Sequence, residues 1–410
     1  YSGGTHAEIL AIKFDEKMIY RILIPIILGT VLPYLWIFKT EFQKVTGRKR
    51  FLLWIPAMIV LGYSVYLAFL PNFVPKNPLL VDIWFALMAV CAVPEFVFAF
   101  CSSLGWCCKR YFHLEKNWGR TVGLVLAIVA FVTFVYGFTL GFRKLEVKQV
   151  TIYLSDLPKN FDGYRIVLFS DFHLGSYYGW RSDIPQRDID SIQAQHPDMI
   201  CFTGDLQNAH PSELVPYYQM LRSLKAKDGV YSILGNHDYS YYVDADPDEQ
   251  VEIEKRVQNF ERSLGWQLLN NEHRVVYRGQ DSIYIAGTEN YDKPKRTSVA
   301  KSLASIKPGN FILMLQHIPT QWKDMVPSKI NEVYGSKDTV LVAPQLTFSG
   351  HTHAGQVEVL GIRPTMFASY DYGLYEREGC QLFTTAGLGG VIPIRIGATA
   401  EIVVVTLKRK

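Results

Sequence analysis

At 410 residues the chain is too long for one ordinary domain, and two are expected. Hydrophobic residues make up 49% of it and crowd into the first third, so an evenly soluble protein is excluded. A net charge of +4, with no stretch interleaving basic and aromatic residues, speaks against nucleic acid as a partner. Six cysteines without a CxxC pair or regular spacing signal neither a zinc ribbon nor a disulfide framework.

Four apolar stretches open the chain, at 22–38, 51–70, 83–104 and 121–142, and Glu95 is their only charged residue. Each is near the roughly 20 residues that cross the hydrocarbon core as a helix. Soluble core helices are rarely apolar on every face, so residues 1–146 are expected to form an all-α bundle of four transmembrane helices. The loop after the first stretch carries Lys39, Lys44, Arg48, Lys49 and Arg50, and the loop after the third carries Lys109, Arg110, Lys116 and Arg120. The turn at 71–78 holds only Lys76. This bias puts the first and third loops in the cytoplasm and the remainder of the chain on the extracytoplasmic face of the membrane. Arg143, Lys144 and Lys148 pull weakly the other way. Glu95 has no second intramembrane charge with which to form a relay, which favours a structural role for it.

Residues 147–410 read as a soluble domain. Short β-branched or aromatic runs at 147–154, 165–171, 199–203, 230–234, 282–286, 311–316, 345–349, 381–385 and 401–407 are strand candidates. Helical patterns occupy 186–195, 212–224 and 248–264, the last opening on Asp246-Pro247 in cap-then-proline order. Strand and helix alternate at first and the tail is mostly strand, which predicts a layered α/β domain with two central sheets.

One grammar recurs along this domain: an apolar strand ends and a metal-capable side chain follows. The strand-end groups are Asp171-Phe172-His173, Gly204-Asp205, Gly235-Asn236-His237-Asp238, His317 and Gly350-His351-Thr352-His353. Loops leaving the same end of a sheet can converge on a ligand while the strands fix their origins. Asp171 and His173, two apart, can reach one ion, and the carboxylate of Asp205 can bridge two. Asn236 offers a neutral carbonyl oxygen, and His317, His351 and His353 offer imidazole nitrogens. Mixed nitrogen and oxygen donors suit Mn, Fe or Zn better than Ca or Mg. Two divalent ions carry more positive charge than Asp171, Asp205 and a bridging hydroxide cancel, so the site should attract a phosphate and activate the water that attacks it. His237 is best left off the metals; with Asp238 beside it to orient the ring, it can protonate a leaving alcohol.

At these residues the sequence resembles the calcineurin-like metallophosphoesterase superfamily, over about 147–410 and with the five groups in family order. The run Gly-His-Thr-His-Ala-Gly-Gln at 350–356 is similar to a bacterial, membrane-anchored branch related to UDP-diacylglucosamine pyrophosphohydrolase-like phosphoesterases. The resemblance implies a four-layer αββα sandwich. It implies one metal held by Asp171, His173, Asp205 and His353, a second held by Asp205, Asn236, His317 and His351, and His237 as the catalytic imidazole. It leaves open the substrate: a phosphomonoester, a phosphodiester or a pyrophosphate.

Aromatic clusters follow two of the metal groups. Tyr177, Tyr178, Trp180 and Arg181 come after the first, and Tyr239, Tyr241 and Tyr242 after Asn-His-Asp. An apolar body with a polar tip suits a membrane interface, so one reading has Tyr178, Trp180, Arg181, Tyr241 and Tyr242 rim the mouth and receive a lipid-linked substrate, with Arg181 on its phosphate; the other has them pack the domain against its membrane anchor or fill a loop core. The competing class is a membrane scaffold or sensor that binds metals or phospholigands without turnover.

Overall fold

The uncharged stretches of the amino-terminal unit become helices, as their composition requires. The computed structural model describes residues 26–69, 79–243, 245–336 and 340–410, so the expected turn at 71–78 and the ends of two spans at 22–25 and 70 lie outside the described residues. Helices occupy Ile26–Thr40 (α1), Ile55–Ala68 (α2), Leu79–Tyr111 (α3) and Trp118–Gly141 (α4). At 33 and 24 residues, α3 and α4 are long and apolar enough to cross a membrane. Pro94 cannot donate a backbone hydrogen bond inside α3, and a π-helical turn over Met88–Ala92 absorbs the defect immediately before it. Helices α3 and α4 touch through glycine: a Cβ on Gly119 would lie 2.1 Å from the Cys101 carbonyl and 2.7 Å from the Gly105 Cα. Small residues allow such close approach between membrane helices.

The chain divides into two units between Phe138 and Thr139, somewhat ahead of the expected boundary at 146. The second unit holds two six-stranded sheets. The first runs β1 (Leu145–Leu154), β12 (Ala400–Arg409), β2 (Arg165–Phe169), β3 (Met199–Phe202), β4 (Val230–Ser232) and β5 (Gln267–Leu268). The second runs β10 (Gly373–Arg377), β11 (Cys380–Thr384), β9 (Leu346–Ser349), β8 (Phe311–Leu315), β7 (Asp281–Gly287) and β6 (Glu272–Arg278).

Strand alternation sorts the apolar side chains into layers. Along β2, Ile166 and Leu168 join Ile283, Ile285, Leu313, Leu315 and Phe348 of the other sheet in one buried cluster. Their neighbours Val167 and Phe169 point the other way, onto Ile189 and Ile192 of helix α5 (Ile184–Gln193). On the far face of the second sheet, Ile312, Met314 and Leu382 pack against Val299, Leu303, Trp322 and Ile330. The result is helix, sheet, sheet, helix: the four-layer αββα sandwich. Strands β2, β3 and β4 are parallel, as are β7, β8, β9 and β11, so the loops that follow β2, β3, β4, β8 and β9 leave from carboxyl ends.

The expected helix at 212–224 is replaced by 3-10 turns at Pro211–Glu213 and Val215–Tyr217 and a short helix at Tyr218–Arg222. Pro211 and Pro216 withhold backbone donors and break the ladder. The helix expected at 248–264 forms over Pro247–Ser263 (α6), and the Asp246 carboxylate caps it through the amides of Asp248 and Glu249.

Candidate metal centre

Each predicted ligand group occupies a loop at a strand end, and the loops are tied together before any side chain is considered. The amide of Asp171 donates to the Gly204 carbonyl and that of His173 to the Asp205 carbonyl, joining the loop after β2 to the loop after β3. Asp171, His173, Asp205, His351 and His353 all have positive φ, between 49° and 75°. That region is costly for residues with a Cβ and marks sites where surrounding structure over-determines the backbone. Glycine appears where the loops meet: a Cβ on Gly350 would sit 2.0 Å from Ser170 Oγ and 2.3 Å from Asp171 Oδ2.

The side chains converge in two groups that share Asp205. One ligand atom from each of Asp171, His173, Asp205 and His353 lies within 4.8 Å of the others, and the same holds for Asp205, His317 and His351. Asp205 Oδ2 is 3.1 Å from His317 Nε2 and 3.5 Å from His173 Nε2. His353 Nε2 is 3.5 Å from Asp171 Oδ1. Asn236 completes the second group, its Oδ1 3.0 Å from His317 Nε2 and 2.9 Å from His351 Nδ1. The Asn236 amide nitrogen donates to the Tyr242 hydroxyl, which turns Oδ1 inward. Nδ1 of His317 donates to the Thr203 carbonyl, which leaves Nε2 as the atom that faces Asp205 and Asn236 and, once deprotonated, a lone pair there for a cation. Acceptors facing acceptors are what a cation needs, and the donor set fits a pair of divalent ions.

Electrostatics agree with that fit. Burial drives His173 down to about 3 and His351 to about 4, and holds His353 well below the usual range, so these imidazoles are neutral and able to ligate. Burial also raises the Asp171 carboxyl to about 6. Burial pulls His317 down, but the adjacent Asp205 carboxylate overrides it and raises the ring to about 9. A bound divalent ion would displace that proton, as ligation generally does.

His237 stands beside the ligands, its ring 4.8 Å from that of His173 and stacked 4.1 Å from Tyr242 at an interplanar angle of 11°. The expectation that Asp238 orients this ring is corrected. Nδ1 of His237 pairs with the Asn208 carbonyl at 2.6 Å instead. Asp238 faces away: its buried carboxylate accepts the amides of Asp205 at 2.7 Å and Gly235 at 2.9 Å on one oxygen, and those of Leu206 and Gln207 on the other. It clamps the loop after β3 to the loop after β4.

A cleft of 470 Å³ opens beside Asn236 and His351, walled by Tyr241, Tyr242, Tyr291 and Lys293 among others. Tyr241 and Tyr242 are thus at the mouth. Tyr178, Trp180 and Arg181 are not among its walls. Arg181 is fully buried, its guanidinium 5.1 Å from the Tyr178 ring, 5.2 Å from Trp180 and 5.6 Å from Phe142, so the expected phosphate contact is corrected to a packing role. Tyr177 and Tyr239 are buried in apolar clusters as well. Sequence reasoning missed the loop after β11. There Leu388 and Gly389 donate to the carbonyls of Ser170 and Asp171, and buried Arg395 donates to the carbonyls of Ala386, Gly387, Gly389 and Ala398. The signal available was the glycine run at 387–390 directly after a strand.

Known proteins carry the same arrangement of parts. Residues 164–355 match the family described as calcineurin-like phosphoesterase, and residues 20–142 match the probable calcineurin-like phosphoesterase transmembrane domain. A transmembrane protein with metallophosphoesterase domain from Danio rerio is 30% identical over 332 residues, covering 77% of this chain and 70% of that protein. An uncharacterized metallophosphoesterase of Campylobacter jejuni is 26% identical over 411 residues, covering 96% and 99%. Another, of Helicobacter pylori, is 28% identical over 301 residues, covering 72% of each chain. With the αββα sandwich, the Asp/His groups and these matches together, the chain belongs to the calcineurin-like phosphoesterase family and carries a transmembrane domain ahead of its phosphoesterase domain.

Proposed function

We propose that the chain is a membrane-anchored hydrolase that cleaves a phosphate ester or pyrophosphate bond with two divalent ions, drawn from Mn, Fe and Zn. Asp171, His173, Asp205 and His353 hold one ion; Asp205, Asn236, His317 and His351 hold the other. The observation that carries this reading is Asp205, whose single Oδ2 reaches both histidine groups, at 3.1 and 3.5 Å. Bound there, the ions would neutralise the phosphate and activate the attacking water.

The chain's own residues do the rest. His237 exchanges a proton with the leaving alcohol through Nε2, because Nδ1 is committed to the Asn208 carbonyl and the Tyr242 ring restrains rotation. Burial lowers the His237 pKa, so the ring needs the negative phosphate beside it to be protonated when it acts. Tyr241 and Tyr242 receive the organic part of the substrate in the 470 Å³ cleft, which exceeds the needs of a bare phosphate. The transmembrane domain and the three tyrosines that wall the cleft support a lipid-linked substrate. The basic loops at 39–50 and 109–120 support a catalytic domain on the extracytoplasmic side of a bacterial inner membrane.

The test is incubation of the pure protein with Mn²⁺ and a nitrophenyl phosphodiester, then with extracted membrane lipids and nucleotide sugars, with mass analysis for a lost phosphate. Turnover that disappears in Asp205→Asn supports the reading. A wild-type protein that holds its metals and hydrolyses none of these substrates returns it to a scaffold or sensor.

A further inference from the structure

The loop that follows the Gly-His-Thr-His group exposes five large apolar side chains within nine residues. Leu360 is 97% exposed and Phe367 90%, and Val359, Ile362 and Met366 are exposed with them. Contiguous apolar patches of this kind mark sites of association. We infer that this loop dips into the bilayer surface and brings the catalytic cleft to a membrane-embedded phosphate ester; the inference rests on the hydrolase reading above.

The loop is built, not slack. Val359 and Ile362 exchange both backbone hydrogen bonds at 3.0 Å, and Leu360 and Gly361 turn the corner with φ of 53° and 79°, the pattern of a tight hairpin. Its base is pinned where the Gln356 amide donates to the carbonyls of Ile392 and Ile394. The Val359–Ile362 pair leaves the turn narrow, and its large apolar side chains are what it offers a neighbour, which suits the interfacial zone of a bilayer.

Charge points the same way. Between 359 and 369 the only charged residue is Arg363, and its guanidinium is paired with Glu358 at 2.9 Å and Asp371 at 2.8 Å at the base of the loop. The apolar tip at 359–362 and Met366–Phe367 therefore carries no charge of its own to desolvate. The far side of the loop reaches the chemistry: Thr365, Ala368 and Ser369 line the cleft together with Asn236 and His351. A transmembrane domain on the same chain keeps a bilayer within reach.

The experiment uses the full chain in phospholipid vesicles. Leu360→Cys, with the exposed Cys107 and Cys108 changed to serine, is labelled with nitrobenzoxadiazole, and quenching by lipids doxylated near the headgroup is measured. Strong quenching is expected, with none for the same label at exposed Tyr277→Cys. Water-like emission without quenching at position 360 overturns the inference. So does a buried-like emission that grows with protein density, which would assign the patch to a second copy. In parallel, Leu360→Ser with Phe367→Ser should slow hydrolysis of a diacyl phosphate ester in vesicles by about tenfold or more, since interfacial binding scales with buried apolar area. Hydrolysis of a soluble nitrophenyl phosphodiester should be unchanged. Equal losses on both substrates sink the delivery role. A wild-type chain that hydrolyses neither sinks the hydrolase reading, while the quenching result still judges the loop.

Discussion

Asp238→Asn separates two roles for one carboxylate. Asp238 is fully buried, and each of its oxygens accepts two backbone amides, from Asp205 and Gly235 on one side and Leu206 and Gln207 on the other. Asparagine replaces one oxygen by a donor, so in either orientation two amides lose their acceptor and meet hydrogens. A buried donor left unsatisfied costs about 1–3 kcal/mol, so the pair costs about 2–6 kcal/mol. For a domain of this size each kcal/mol lowers Tm by about 2–4 °C, which puts the loss near 8–16 °C for the middle of that range. The stranded pair includes the amide of Asp205 in one orientation and that of its neighbour Leu206 in the other, so metal content should fall as well. Thermal melting and elemental analysis of the purified chain measure both. If Asp238 instead orients the His237 ring, as adjacency in sequence suggests, the variant keeps its melting temperature and metals and loses only turnover. That outcome refutes the clamp.

Three further outcomes are expected. Asp205→Asn should weaken both ions and Asp171→Asn mainly one, read as metal equivalents; two full equivalents in Asp205→Asn would contradict the bridging role. His237→Ala should keep its metals yet slow turnover by about 10²–10⁴-fold, more for alkyl than for nitrophenyl esters, and an equal loss on both would remove it as the acid. Protease added to intact spheroplasts should cut the phosphoesterase domain while a tag placed in residues 39–50 stays protected, and the opposite pattern would reverse the topology.

The parts legible in the sequence are those in which residue type and strand period act together. A ligand must leave the carboxyl end of a strand, so an apolar run followed by Asp, His or Asn is visible without coordinates, and all seven of these side chains come together in two adjoining groups. What stayed hidden depends on backbone groups or on long-range packing. The partner of His237 is the carbonyl of Asn208, and a carbonyl has no residue signature. Arg181 follows a metal motif and reads as a phosphate ligand, yet the rings of Phe142, Tyr178 and Trp180 enclose it. The helix pattern at 212–224 was apolar in the right places, but two prolines outweighed it.

Backbone cost explains why so many partners surround so few ligands. Five ligand residues sit at positive φ, and each such conformation costs about 1–3 kcal/mol outside glycine. Contacts within the site and around it hold this arrangement: the Asp205 carboxylate, which raises the His317 ring to about 9, lies 3.1 Å from its Nε2. Asp238 holds the amide of Asp205, and the Asp171 carboxylate accepts the amide of His351 at 3.0 Å. Gly389 donates to the Asp171 carbonyl, and Arg395 holds the Gly389 loop in place. These contacts give the fold its own hold on the geometry of the proposed ligands. A chain stripped of its ions by chelation is accordingly expected to rebind them without a slow refolding step, read as metal uptake against time. Uptake limited by a refolding phase would refute this.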